Sequence, residues 1–172
     1  MRGSHLVKRF VGSLWPLGPS AATETWVASL LLPGERDLWL RMPAADRRHA
    51  AAVAHRAEAA LGPELATRPA LAAALLHDVG KVAAGLGTYG RVVATVAGGA
   101  TRRRHVYAWS STGGFTRRVG LYLRHPELGA DMLALAQSDP LTVSWAREHH
   151  LPETDWTVPP AVGAALKAAD DD

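Results

Sequence analysis

Apolar positions along this chain recur at intervals of three and four residues, and no stretch alternates every second residue as a half-buried strand would. Near Thr23 a run begins that puts Trp26, Leu30 and Leu31 at helical spacing, and Pro33-Gly34 is expected to end it. A second short helix carries Leu38, Trp39 and Met42. Pro43 fits the first turn of a longer one, roughly 43–61, with Val53, Ala57 and Ala60 on its apolar face and Gly62-Pro63 as its stop. Pro69 starts the next helix, whose apolar body is 71–78. Residues 88–96 read as helix halted by Gly98-Gly99. The pattern is least clear over 101–118, which holds Arg102-Arg103-Arg104, Tyr107, Trp109 and the flexible run 110–114. It resumes over 119–123. His125-Pro126 opens a helix to about Gln137, and Asp139-Pro140 opens another that ends at His149-His150. A Pro-containing loop over 152–160 then leads to a last helix at 161–169.

The expected fold is therefore all-α, without internal repeats. Residues 1–23, with Gly12, Pro16, Gly18, Pro19 and Ser20 at close intervals, read as a loosely packed arm ahead of one helical domain over 24–172. At 172 residues the chain can bury a core without staples.

Composition narrows the chemistry. The chain has no cysteine, which excludes disulfides, thiolate metal sites and cysteine nucleophiles. Any metal must be held by His, Asp and Glu, a donor set that suits Mn, Fe, Co, Ni, Mg or Zn. Net charge is +3, and the positive charge is mostly Arg, compatible with a phosphate-bearing partner but too small an excess to decide for one. The longest apolar runs, such as Trp26 to Pro33, are too short to span a bilayer, and the opening residues lack a secretory pattern. A soluble cytoplasmic protein with no membrane partner is the expectation.

The chain holds eight histidines. His5, His55 and His105 read as ordinary solvated residues, and His55 lies six positions from His49, off its helix face. The others form an ordered series: His49, His77-Asp78, His125, His149-His150 and finally Asp170. The pair His77-Asp78, at the end of an Ala/Leu-rich run, is costly to bury unless something ionic satisfies it.

In these residues the chain resembles the HD-domain superfamily of metal-dependent phosphohydrolases, over about residues 34–171. That family's pattern is a His on one helix, a His-Asp pair on the next and a late Asp, matched here by His49, His77, Asp78 and Asp170. His77-Asp78-Val79-Gly80-Lys81 looks like the HDIGK form of the motif. His125-Pro126-Glu127-Leu128-Gly129-Ala130 looks like the HPELGA segment of proteins related to HD-GYP phosphodiesterases. Glu148-His149-His150 looks like the start of their HHE segment. The loop that follows lacks the Gly-Tyr-Pro associated with cyclic di-GMP hydrolysis, so the resemblance speaks for a metal centre rather than for that substrate.

The resemblance implies an HD-type helical bundle acting on a nucleotide or related phosphate ester, with two divalent ions. Asp78 would bridge them, because one carboxylate offers an oxygen to each. His49, His77 and Asp170 would complete one site, and His125 and His149 the other. His150 would be a further ligand or a hydrogen-bond partner of one. Lys81, three residues beyond Asp78, would hold a substrate phosphate or stabilise the leaving oxygen, with a surface lysine as its plainer reading. Asp46, one turn before His49, reads as a solvated first-turn acid. Arg102, Arg103, Arg104, Arg117, Arg118 and Arg124 make the region before His125 basic. They form a solvated face, a phosphate entrance with Arg124 nearest the site, or a surface for nucleic acid with Tyr107 and Trp109 to stack on bases. A non-catalytic HD module that binds a nucleotide and signals to a partner is the alternative to an enzyme, and an HD-type di-iron oxygenase is a remoter one.

Overall fold

A computed structural model describes residues 18–99 and 103–171. Among them are ten α-helices and two short 3-10 turns, with no strand, so the all-α expectation holds. The helices are α1 (Ala21–Leu30), α2 (Pro33–Arg41), α3 (Ala44–Leu65), α4 (Arg68–Leu76), α5 (Thr88–Gly99), α6 (Arg103–Ser110), α7 (Gly114–Leu123), α8 (His125–Leu135), α9 (Pro140–Glu148) and α10 (Pro160–Asp171). The 3-10 turns are Val79–Ala84 and Glu153–Asp155. Most of the arm expected over 1–23, with His5 in it, lies outside the described residues, as do Arg102 and the side chains of Arg103 and Arg104. The part of the arm that is described ends in structure: Ser20 caps α1, its Oγ accepting the Thr23 N–H at 3.1 Å.

Local chemistry sets most helix ends. Prolines stand in the first turns of α2, α4, α8 and α9, where a missing N–H costs nothing. α1 ends at Leu30, just before Pro33-Gly34, and the same Pro33 opens α2. Gly62 adopts φ 67 and ψ 176 inside α3, so Gly62-Pro63 kinks that helix and a further turn follows. The unclear stretch 101–118 contributes α6 and the first half of α7, with the Ser/Gly run as the turn between them.

Helix α4 is the axis of the fold. Every residue from Ala70 to Leu76 is buried, as expected of a helix apolar on all sides. Its alanines let α3 and α9 approach closely, and α10 packs on α3 from outside. This larger core includes Trp39, Val53, Leu75, Leu133, Trp145 and Leu166. A smaller one, built on Ala84, Leu86, Ala94 and Val119, joins α5, α6 and α7. The turn Val79–Ala84 links them: Val79 belongs to the first core and Ala84 to the second. His77 and Asp78 sit where the two meet. No helix among the described residues is long and apolar enough to cross a membrane.

Candidate metal centre

Three helices end near one point, and each delivers a histidine there. His77 caps the C-terminus of α4, His149 caps that of α9, and His125 follows the end of α7. The last carbonyls of a helix have no partner within it. Here the Nδ1 atoms of His77, His125 and His149 donate to the carbonyls of Ala74, Tyr122 and Ala146 at 2.9, 2.7 and 2.9 Å. A carbonyl oxygen can only accept, so each Nδ1 must carry the proton. In the neutral ring, Nε2 then presents a lone pair, and all three Nε2 atoms face inward.

They face carboxylates. Asp78 Oδ1 lies 3.2 Å from His125 Nε2 and 3.6 Å from His149 Nε2, while its Oδ2 lies 3.5 Å from His77 Nε2. Asp170 Oδ1 is 3.1 Å from His49 Nε2 and 3.6 Å from His77 Nε2. His77, Asp78, His125 and His149 are buried, and the three Nε2 atoms and Asp78 Oδ1 have no hydrogen-bond partner. Buried acceptors aimed at one another are unfavourable unless a cation lies among them. The donors fall into two groups whose ligand atoms lie within 4.8 Å of one another: Asp78, His125, His149 and His150; and His49, His77 and Asp170. This buried His/Asp cluster could hold a metal ion. All seven metal-ligating residues expected from the sequence are in it; His150 is its exposed member, its ring 4.1 Å from that of His149.

The electrostatics of the cluster follows from the same packing. Burial opposes ionisation of Asp78, but the charges of Lys81 and His77 beside it hold its carboxyl well below the usual range. Burial likewise opposes a charge on His77, yet Asp78 and Asp170 raise its pKa overall. For His125 burial wins, aided by Lys81 and His149, and its pKa falls to about 4. His149 is lowered for the same reason.

Lys81 pairs directly with Asp78 Oδ2, its ammonium 5.8 Å from the centre of the Tyr122 ring. Arg124 is engaged on the outer side of α8: Nε donates to Glu127 Oε2 at 3.1 Å, Nη1 donates to Ser110 Oγ at 3.0 Å, and the guanidinium stacks 4.4 Å over Tyr107. Arg117 and Arg118 are exposed, and Arg118 Nε donates to the Ala84 carbonyl. His55 stacks on Trp26 with ring centres 4.0 Å apart, away from the cluster, and His105 is exposed.

Three features were missed by the sequence reading. Asp46 is not a solvated acid; it accepts a 2.6 Å hydrogen bond from Arg91 of α5, a residue no local pattern ties to α3. Glu148 is buried and clamps the loop after His150 by accepting from both the N–H and the hydroxyl of Thr157. Gly80 lets the start of α8 lie against the Val79–Ala84 turn, since a Cβ there would meet the His125 carbonyl oxygen at 2.0 Å. The glycine within His77-Asp78-Val79-Gly80-Lys81 was visible as a motif letter, but which backbone approaches it was not. No family model, no curated protein and no solved structure matches the chain significantly.

Proposed function

We propose that this chain is a metal-dependent phosphohydrolase of the HD-domain superfamily, acting on a nucleotide or related phosphate ester. The observation that carries the reading is the set of four buried acceptor atoms without partners, flanked by two donor groups that meet at Asp78. His49, His77 and Asp170 would hold one divalent ion. His125, His149 and His150 would hold a second, with Asp78 shared. Ions bound there supply positive charge for phosphoryl oxygens and lower the pKa of coordinated water.

The chain's own residues do the rest. The Nδ1–H bonds to helix-end carbonyls keep the three buried imidazoles in the tautomer that ligates through Nε2. Burial keeps bulk water from the donors. Lys81 carries an ammonium that neutralises a phosphate oxygen or the leaving oxygen.

Metal content of protein purified without chelator, followed by assays of nitrophenyl and nucleotide phosphoesters with Mn, Co, Mg and Ni, tests the reading. Wild type should retain metal and hydrolyse an ester in a metal-dependent way, and Asp78→Ala should lose both. Absence of metal and of turnover in wild type would refute it. A second reading, a non-catalytic module that binds a nucleotide and signals, is favoured by the Lys81–Asp78 pair, which places an internal cation on the central carboxylate. Nucleotide binding that survives Asp78→Ala, with no turnover by wild type, would select it.

A further inference from the structure

We propose that Arg91, oriented by Asp46, binds phosphate oxygens of the substrate at the open edge of the metal centre. The inference rests on the phosphohydrolase reading and adds a binding residue outside the ligand series.

The position of Arg91 follows from its partners. Nη1 donates to Asp46 Oδ1 at 2.6 Å, and Nε donates to the Leu86 carbonyl at 3.1 Å. Asp46 lies three residues before His49 on α3, so the two side chains project from one face of that helix, roughly 5–6 Å apart at Cβ. His49 is the open member of its donor group, with 30 % of its side chain exposed against 2 % for His77. The Arg91 charge also interacts with Tyr122 and Asp78. Tyr122 is itself the residue beneath Lys81 and beside His125, its ring 5.7 Å from the imidazole. Through Asp46, Arg91 thus stands beside His49, the open member of its donor group.

Its chemistry suits an oxyanion. A guanidinium has five N–H donors in a planar fork. Two are used on Asp46 and Leu86, which fixes the plane of the group. The other three, both on Nη2 and one on Nη1, have no partner among the described residues. A planar group anchored at Nε and Nη1, with both Nη2 hydrogens open, suits the oxygens of a tetrahedral phosphate, with little side-chain freedom left to lose on binding. The plainer role for Arg91, a clip holding α5 to α3, would need the Asp46 contact but not the open donors.

Calorimetric titration with inorganic phosphate, of protein as purified and after EDTA treatment, separates the two roles. Wild type as purified should bind phosphate, and Arg91→Met should bind it at least about tenfold more weakly, the loss expected for charge-assisted hydrogen bonds. Arg91→Lys keeps the ion pair with Asp46 and so the clip, yet should still bind phosphate several-fold more weakly and raise KM for a phosphomonoester more than it lowers kcat. Asp46→Asn should weaken phosphate binding with metal content unchanged. Wild-type affinity for phosphate in Arg91→Lys, or no phosphate binding by wild type, would overturn the proposal. If Arg91→Met does not fold, Arg91→Lys decides. Wild type without metal would defeat the phosphohydrolase reading alone, because the EDTA-treated protein reports independently whether phosphate binding depends on Arg91.

Discussion

Gly80→Ala tests whether the centre depends on how closely α8 approaches the Val79–Ala84 turn. The added Cβ would stand 2.0 Å from the His125 carbonyl oxygen, 2.6 Å from Gly129 N and 2.9 Å from His125 C, all of them backbone. No side-chain rotation relieves such contacts. To restore even 3.0 Å, the start of α8 must retreat by the difference from 2.0 Å, about 1 Å. Metal–ligand distances tolerate only about 0.2 Å. His125, whose own carbonyl is the atom struck, is therefore carried out of ligating range. Overpacking of this kind costs about 1–3 kcal/mol, which for a chain of this size lowers Tm by roughly 2–12 °C. Metal bound by the group Asp78, His125, His149 and His150 should weaken at least about tenfold.

The assay is metal per chain by elemental analysis, alongside melting with and without added ion. Two other alanines serve as controls. At Gly129 a Cβ would meet Gly80 N at 3.1 Å, a contact a small shift relieves, so the effect should be milder. At Gly62 the Cβ meets nothing, and the cost, about 1–3 kcal/mol, comes only from the positive φ, with metal content unchanged. Full metal content in Gly80→Ala would refute the reasoning.

Two further outcomes can be checked. In EDTA-treated protein, His125 titrates at about 4 instead of its ordinary 6.5, and His149 is also lowered, so the unfolded chain binds more protons between those values. The stability they contribute is full above pH 6.5 and is lost as pH falls toward 4. His77, raised, acts in the opposite sense on the alkaline side of 6.5. Tm should fall from pH 7 to 5, less steeply in His125→Gln, and a flat profile for wild type would contradict this. Separately, Glu35 is fully buried and accepts from Arg68 at 3.1 Å and from the Leu32 N–H at 2.9 Å. Arg68→Met strands that carboxylate; with Arg68 34 % exposed, the expected cost is about 2 kcal/mol, below that for breaking a fully buried pair. Thermal melting should show partial recovery in the double variant with Glu35→Gln, and no loss in Arg68→Met alone would count against it.

What the sequence made legible was local. Apolar spacing revealed most helices, and His77-Asp78, His125 and His149 could be picked out because each sits at a helix end marked by composition. One junction misled: Gly62-Pro63 signals a break in direction, and a break does not say whether helix resumes at once. The site's supports were hidden because they are contacts across the fold. Asp46 and Arg91 are 45 residues apart, and Gly80 meets a backbone from α8, so no window of sequence contains both partners.

The bonds from Nδ1 to the third carbonyl before each buried histidine have a consequence for how the centre would wear under mutation. Each ring takes its orientation from its own helix end rather than from its neighbours. Replacing one leaves the other two aimed as before, so damage at the histidines is graded and ligand-by-ligand. Asp78 has no such independence. Both of its oxygens are spoken for by different helices, and every path for gradual erosion of the cluster stops there.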